Sequence, residues 1–177
     1  MDKYKKILLA LIILKAIGAC AQSLRPGPGL GKPATSAEIE VWSIGVFPDG
    51  TGLPSGLGNA LQGEKVYNQR CKSCHGPEGI GASAEELAGG NNGLVHEYPD
   101  KTIGTYWPFS TTVFDFTRRA MPLNAPGSLS NNDVYAITAY LLYINGIIGQ
   151  TTEMNAKTLP KVQMPNWDGF IPVFKNK

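Results

Sequence analysis

Few residues in this chain of 177 can carry chemistry, and each shortage closes off a class of function. Cysteine occurs three times, at Cys20, Cys71 and Cys74, and histidine twice, at His75 and His96. With Cys20 in a leader-like segment, a four-ligand zinc site would need carboxylates, which structural zinc sites seldom use. No βαβ pattern surrounds Cys71 and Cys74, as a thioredoxin-like redox pair requires. Charge is nearly balanced, with 16 Lys and Arg against 14 Asp and Glu. That balance gives no basic face for nucleic acid or for an anionic membrane. A long apolar run is also missing. The best candidate, Ile7 to Ala19, is interrupted by Lys15 and is too short to span a bilayer comfortably.

What is present is concentrated in Arg70-Cys71-Lys72-Ser73-Cys74-His75-Gly76, which holds the sequence's one C-x-x-C-H. This spacing is the attachment signature of a c-type haem. Two intervening residues on a helical turn bring both sulfurs to one side, where they reach the two vinyl groups of a porphyrin. The histidine follows at once and comes under the iron as proximal ligand. Cys71, Cys74 and His75 are therefore the primary candidates for binding one covalent haem c, with His75 on the metal.

Around this motif the chain divides into four. Residues 1–20 read as an export signal, with Lys3, Lys5 and Lys6 ahead of the apolar run. Two endings overlap there. Ile17-Gly18-Ala19-Cys20 resembles a lipobox, which would make Cys20 a lipid anchor, whereas Ala19-Cys20-Ala21 fits small-x-small cleavage ahead of Gln22. Either ending puts the protein in the periplasm or on the outer face of a bacterial membrane, where thioether attachment takes place. Without Lys3, Lys5, Lys6, Lys15 and Asp2, the 16 basic and 14 acidic residues become 12 and 13, a net charge of −1.

Residues 21–56 read as an extended arm rich in Gly and Pro. Its Ile39 to Phe47 stretch alternates like a β-strand and carries Trp42, Ile44, Val46 and Phe47, which are costly to leave in water. Such a strand either lies on a partner protein or wraps its own domain. Residues 57–150 read as the haem domain. Asn59 with Gln62 marks a helix start, and Ala60, Gly63, Tyr67, Cys71 and Cys74 follow at steps of three and four. Ser130 with Asp133 starts a second helix and Asn145-Gly146 stops it. That helix is apolar nearly all round, so it should be well buried, and Ala136 and Ala139 are small enough to receive a crossing at Gly63. Between them, a turn of helix is expected at Ser83 to Leu87, and a third helix at Thr111 to Ala120 with Ser110 as its cap. Residues 151–177 form a tail packed on the domain or on a partner.

A second axial ligand is sought after the motif. Met121 stands just past a helix end, before Pro122, and is far enough along the chain to reach the opposite face. Met154 and Met164 lie in the tail and read as packing residues; His96 reads as a surface residue. Trp107 is a candidate propionate donor or a core residue. Arg118 and Arg119 are candidates for a propionate or a partner, against a solvated helix end. His/Met ligation favours Fe(II), raises the potential relative to bis-His haem and closes the coordination sphere. A closed site passes single electrons and does no bond chemistry.

These residues resemble a known family. A first and a last helix packed beside a haem, with a Met-Pro distal loop, resemble the class I cytochromes c. The expected fold is mostly α, three to four helices around one covalently bound haem, with an extended N-terminal arm. More specifically, the run Asp100 to Pro122 (Asp-Lys-Thr-Ile-Gly-Thr-Tyr-Trp-Pro-Phe-Ser and on to Arg-Arg-Ala-Met-Pro) resembles the cytochrome subunits of bacterial sulfite dehydrogenases. The haem subunit of the related Sox sulfur dehydrogenase has the same pattern. The likeness continues through Pro126 to Ser130, Val134 to Gly149 and Ala156 to Asn166, and upstream through Trp42 to Gly58. Sox haem subunits are longer and hold more than one haem region, so the sulfite dehydrogenase type fits better.

The resemblance implies that Cys71 and Cys74 are the haem thioethers, His75 the proximal ligand and Met121 the distal one. It also implies a partner, a molybdenum-cofactor catalytic subunit that oxidises sulfite and passes two electrons singly to the haem, which relays them to an acceptor cytochrome c. This chain has no pterin-binding or sulfite-binding features, so it is expected to be no enzyme on its own. A free-standing periplasmic electron shuttle is the alternative, and a haem enzyme or gas sensor with an open iron is the third class.

Overall fold

The structure is a computed structural model that describes residues 30–90 and 92–171. The leader, both readings of Cys20 and the first part of the arm lie outside the described residues. The chain divides into two units, Met1–Ile39 and Glu40–Lys177.

The described segment begins at Leu30 and enters helix α1 (Ser36–Trp42). The reason is a capping box: Glu38 N–H donates to Thr35 Oγ1 at 3.3 Å, and Thr35 N–H donates to the Glu38 carboxylate at 2.8 Å. This corrects the reading of Ile39 to Phe47 as β-like. Its first four residues are helical, and residues 43–47 are in neither helix nor strand.

The second unit is mostly helical. Residues Ile44 to Gly56 form a strap with its own bonds, Phe47 N–H to Thr51 O and Gly50 N–H to Phe47 O, both 2.9 Å. The strap is fastened to the helices by Tyr135 Oη to Pro54 O (2.9 Å) and Asn131 Nδ2 to Ser55 O (3.2 Å). Strand β1 (Leu57–Gly58) then pairs antiparallel with β2 (Met154–Asn155), Leu57 opposite Asn155 and Gly58 opposite Met154.

Helix α2 (Ala60–Arg70) starts at a capping box between Asn59 and Gln62. It ends at Cys71, and a four-residue turn, α3 (Lys72–His75), follows. Helix α4 (Ser110–Ala120) has Phe109 as its N-cap, without a side-chain cap. Ser110 is thus the first helical residue rather than the cap, because its hydroxyl donates instead to Leu159 O of the tail at 2.7 Å. Helix α5 (Asn131–Ile144) is capped by Ser130 and Asp133 in a box, and every residue from Val134 to Leu142 is buried.

The two long helices α2 and α5 cross where their side chains vanish. A Cβ on Gly63 would stand 1.9 Å from Ala136 O and 2.7 Å from Tyr140 Cβ. Only glycine permits this approach, which offsets its poor helix propensity. Tyr67 packs at a tilt on Tyr140 (5.0 Å between centroids) and Phe114 on Tyr135 (4.5 Å). The tail closes the core: Met154, Leu159 and Met164 are fully buried in it. No helix among the described residues is long and apolar enough to cross a membrane.

Candidate functional site

The end of α2, the turn α3 and the C-terminal end of α4 open onto one cleft of about 890 Å³. Cys71, Cys74 and His75 line it, as do Met121 and Trp107. Leu87, Ile103, Val113, Ile137 and Leu141 supply an apolar wall. The volume falls within the roughly 300–1,000 Å³ usual for cofactor sites.

The C-x-x-C-H turn is held by the loop that follows it. Gly81 N–H donates to His75 O and Ala84 N–H to Cys74 O, both at 2.8 Å. Leu87 N–H goes to Gly79 O at 2.7 Å. Within Ser83 to Leu87, the Ala84 amide is spent on the motif and the Leu87 amide on Gly79 O, and the helical turn expected there does not form. The loop also sets the imidazole: His75 Nδ1 donates to Glu85 O at 3.0 Å. This leaves Nε2 as the ring nitrogen with a free lone pair, oriented by its partner on the other side. Gly76 has φ of 75°, and a Cβ there would lie 2.3 Å from Gly81 O, so the residue after the histidine must be glycine. The buried Tyr67 hydroxyl donates to Gly76 O at 2.8 Å.

The two thiols differ. Cys74 is exposed and Cys71 partly buried. Burial pushes the Cys71 thiol up to about 11; the neighbouring Arg70 guanidinium pulls against this and Cys74 adds to it. Burial likewise pushes the Tyr67 phenol up to about 12, with smaller contributions from Cys71 and Tyr140.

On the other wall, α4 ends at Thr117 to Met121, where Met121 N–H donates to Thr117 O at 3.1 Å and the backbone turns extended. The Met121–Pro122 peptide is cis. Trp107 packs against Tyr106 at 6.3 Å and Phe116 at 5.8 Å. Of the residues proposed for a propionate, Arg118 and Arg119 do not line the cleft. The Arg118 guanidinium donates to Ile44 O of the strap at 3.3 Å, and Arg119 is paired with Asp115. Met154 and Met164 are in the core, and His96 is in an exposed loop where Tyr98 N–H donates to its Nδ1 at 3.0 Å. Sequence reasoning placed Tyr67 on the helix face leading to Cys71 and Arg70 at the head of the motif, without giving either a role at the cleft, and it missed the Glu85 carbonyl. A backbone carbonyl carries no sequence signal.

The chain matches the cytochrome c family over residues 60–145. It is also similar to a chain in the crystal structure of the sulfane dehydrogenase SoxCD from Paracoccus pantotrophus, with 42% identity and a TM-score of 0.76. That likeness covers 82% of this chain and 72% of the other. The protein belongs to the cytochrome c family. No curated protein matches it. The family implies haem and electron transfer, and the residues of this cytochrome's cleft fit such a group: soft donors on two walls, an oriented imidazole and apolar lining between. Among the described residues no three His, Cys, Asp or Glu side chains cluster as a separate metal site. A haem held in the cleft supplies one-electron exchange at iron.

Proposed function

We propose that this cytochrome is an exported monohaem subunit that takes single electrons from a molybdenum enzyme oxidising an inorganic sulfur compound. It passes them to a downstream cytochrome c. Cys71 and Cys74 would hold the haem as thioethers, and His75 Nε2 and Met121 Sδ would be the iron's ligands. The apolar wall would keep water from a haem held there, and Glu85 O fixes the orientation of the His75 imidazole.

The observation that carries the reading is the extent of the SoxCD likeness. It covers 82% of the chain, whereas the cytochrome c family match over residues 60–145 covers under half. The likeness therefore reaches beyond the haem domain into segments a free shuttle does not need. SoxCD is a sulfane dehydrogenase; the single C-x-x-C-H here keeps sulfite as the first substrate to test.

Gentle purification from native cells, followed by molybdenum and iron analysis of the haem fraction, tests this. Co-elution of molybdenum with haem, and haem reduction on adding sulfite or a sulfane donor, is the expected result. Iron without molybdenum, in a haem that responds only when a separate enzyme is supplied, overturns it in favour of a free periplasmic shuttle. Carbon monoxide tests the ligand assignment. The reduced protein resists it, and Met121→Ala binds it; an open iron in the unaltered protein would return the gas-sensor reading. Mass analysis of the mature N-terminus distinguishes an acylated Cys20 from a chain starting at Gln22.

A further inference from the structure

Helix α4 stands between two different surroundings. Val113, Phe116 and Thr117 face the cleft, and Met121 follows at the helix end. Thr111, Asp115 and Arg118 lie on the opposite side, given about 100° per residue, and all three meet the strap. Thr111 Oγ1 donates to Pro48 O at 3.3 Å, Val46 N–H donates to Asp115 Oδ1 at 2.9 Å, and Arg118 Nη1 donates to Ile44 O at 3.3 Å. Asp115 is 7% exposed. It also accepts Arg119 Nε at 3.0 Å on each oxygen, and Arg119 Nη2 on Oδ2. A buried carboxylate with several donors is expensive to disturb, because losing it leaves the Val46 N–H without its acceptor, whereas the half-exposed Arg119 guanidinium turns to water.

The strap itself is stiff. Asp49 accepts both the N–H and the hydroxyl of Thr51, at 2.9 and 3.0 Å. A Cβ on Gly50 would meet Pro160 Cγ of the tail at 2.4 Å, so the strap has no room to slide that way. At its other end α4 is tied to the tail by Ser110. The strap holds the remaining turns, which deliver Met121, from outside.

We propose that Asp115 is a positioning residue for the Met121 thioether: by locking Ile44–Pro48 onto the outer side of α4, it fixes the height of Met121 over the cleft. The proposal rests on the assignment of Met121 as distal ligand. A thioether is a weak ligand and functional geometry has to be held within about 0.5 Å. A backstop on α4 is therefore a determinant of iron coordination, although Asp115 never touches the cleft.

The test uses the full-length haem-loaded chain in four forms: unaltered, Asp115→Ala, Asp115→Asn and Met121→Ala. Three quantities are read well below the melting temperature: the fraction of reduced protein that binds carbon monoxide at a fixed concentration, the thioether-to-iron charge-transfer absorption of the oxidised protein, and amide exchange over residues 44–48. Asp115→Ala is expected to raise the carbon monoxide fraction at least fivefold, weaken the absorption and speed strap exchange at least tenfold. Asp115→Asn keeps an oxygen for Val46 N–H and should stay within twofold of the unaltered protein. Faster strap exchange in Asp115→Ala with unchanged absorption and carbon monoxide resistance would reduce Asp115 to a structural residue and overturn the proposal. Should Met121→Ala itself remain closed to carbon monoxide, the ligand assignment fails instead, and the two failures are told apart. If Asp115→Ala does not fold, Thr111→Val, which removes only the bond to Pro48 O, should give at least a twofold rise; no rise overturns the proposal.

Discussion

Replacing Gly63 by Ala isolates the crossing of α2 and α5. The added Cβ lies 1.9 Å from Ala136 O, 2.5 Å from Ala136 C and 2.7 Å from Tyr140 Cβ. Ordinary contact begins near 3.4 Å, so the helices must part by about 1.5 Å at this point, and the packing there loses its close contacts. The obstacle is helix backbone, which cannot rotate aside as a side chain can. Alanine gains about 1 kcal/mol in helix propensity over glycine. Overpacking a close-packed core typically costs about 1–3 kcal/mol and occasionally more. Here the tilted Tyr67–Tyr140 contact beside the crossing opens as well, which puts the cost at or above the top of that range. The net is a loss of roughly 2 kcal/mol, on the order of 5–10 °C in Tm for a domain of this size. Asn68→Ala, exposed on the same helix, is the control and should be neutral or slightly stabilising. The assay is thermal and denaturant unfolding of the haem-loaded protein. A Gly63→Ala protein that melts at or above the unaltered one refutes the crossing as the reason for glycine.

Three further expectations follow from other parts of the molecule. In the haem-free chain, Cys71 is pushed from 9.0 up to about 11 by burial, so the unfolded thiol ionises first. Stability should be full below pH 9 and fall as pH rises toward 11, and Cys71→Ala should flatten that decline. Ser130→Ala removes the acceptor of Asp133 N–H at the start of α5 and should cost about 1 kcal/mol by denaturant unfolding. Removing residues 24–42 leaves the strap on α4 but takes away Ile39 and Trp42, which are 54% and 85% exposed. If that surface meets the donor enzyme, the trimmed protein elutes without molybdenum while its haem stays chemically reducible; retained molybdenum would show that the segment is dispensable for docking.

The sequence by itself determined the local devices, because each is written within a few adjacent residues. Asn59 with Gln62 and Ser130 with Asp133 start α2 and α5 as capping boxes. Gly63 among larger residues marks the crossing, and C-x-x-C-H marks the cleft. Where two local signals competed, sequence reasoning failed. Alternation in Ile39 to Phe47 suggested a strand, but the Thr35–Glu38 box turned its first half helical. Ser110 looked like a cap until the tail offered Leu159 O to its hydroxyl.

Met121 was legible in the sequence as the candidate over Met154 and Met164, which β2 and the tail draw into the core. Tertiary structure alone decided the other long-range choices. It turned Arg118 to Ile44 O, 74 residues away in sequence, and gave His75 the carbonyl of Glu85 as its partner. These outcomes depend on backbone atoms that every residue type possesses. Only the folded path of the chain could choose among them.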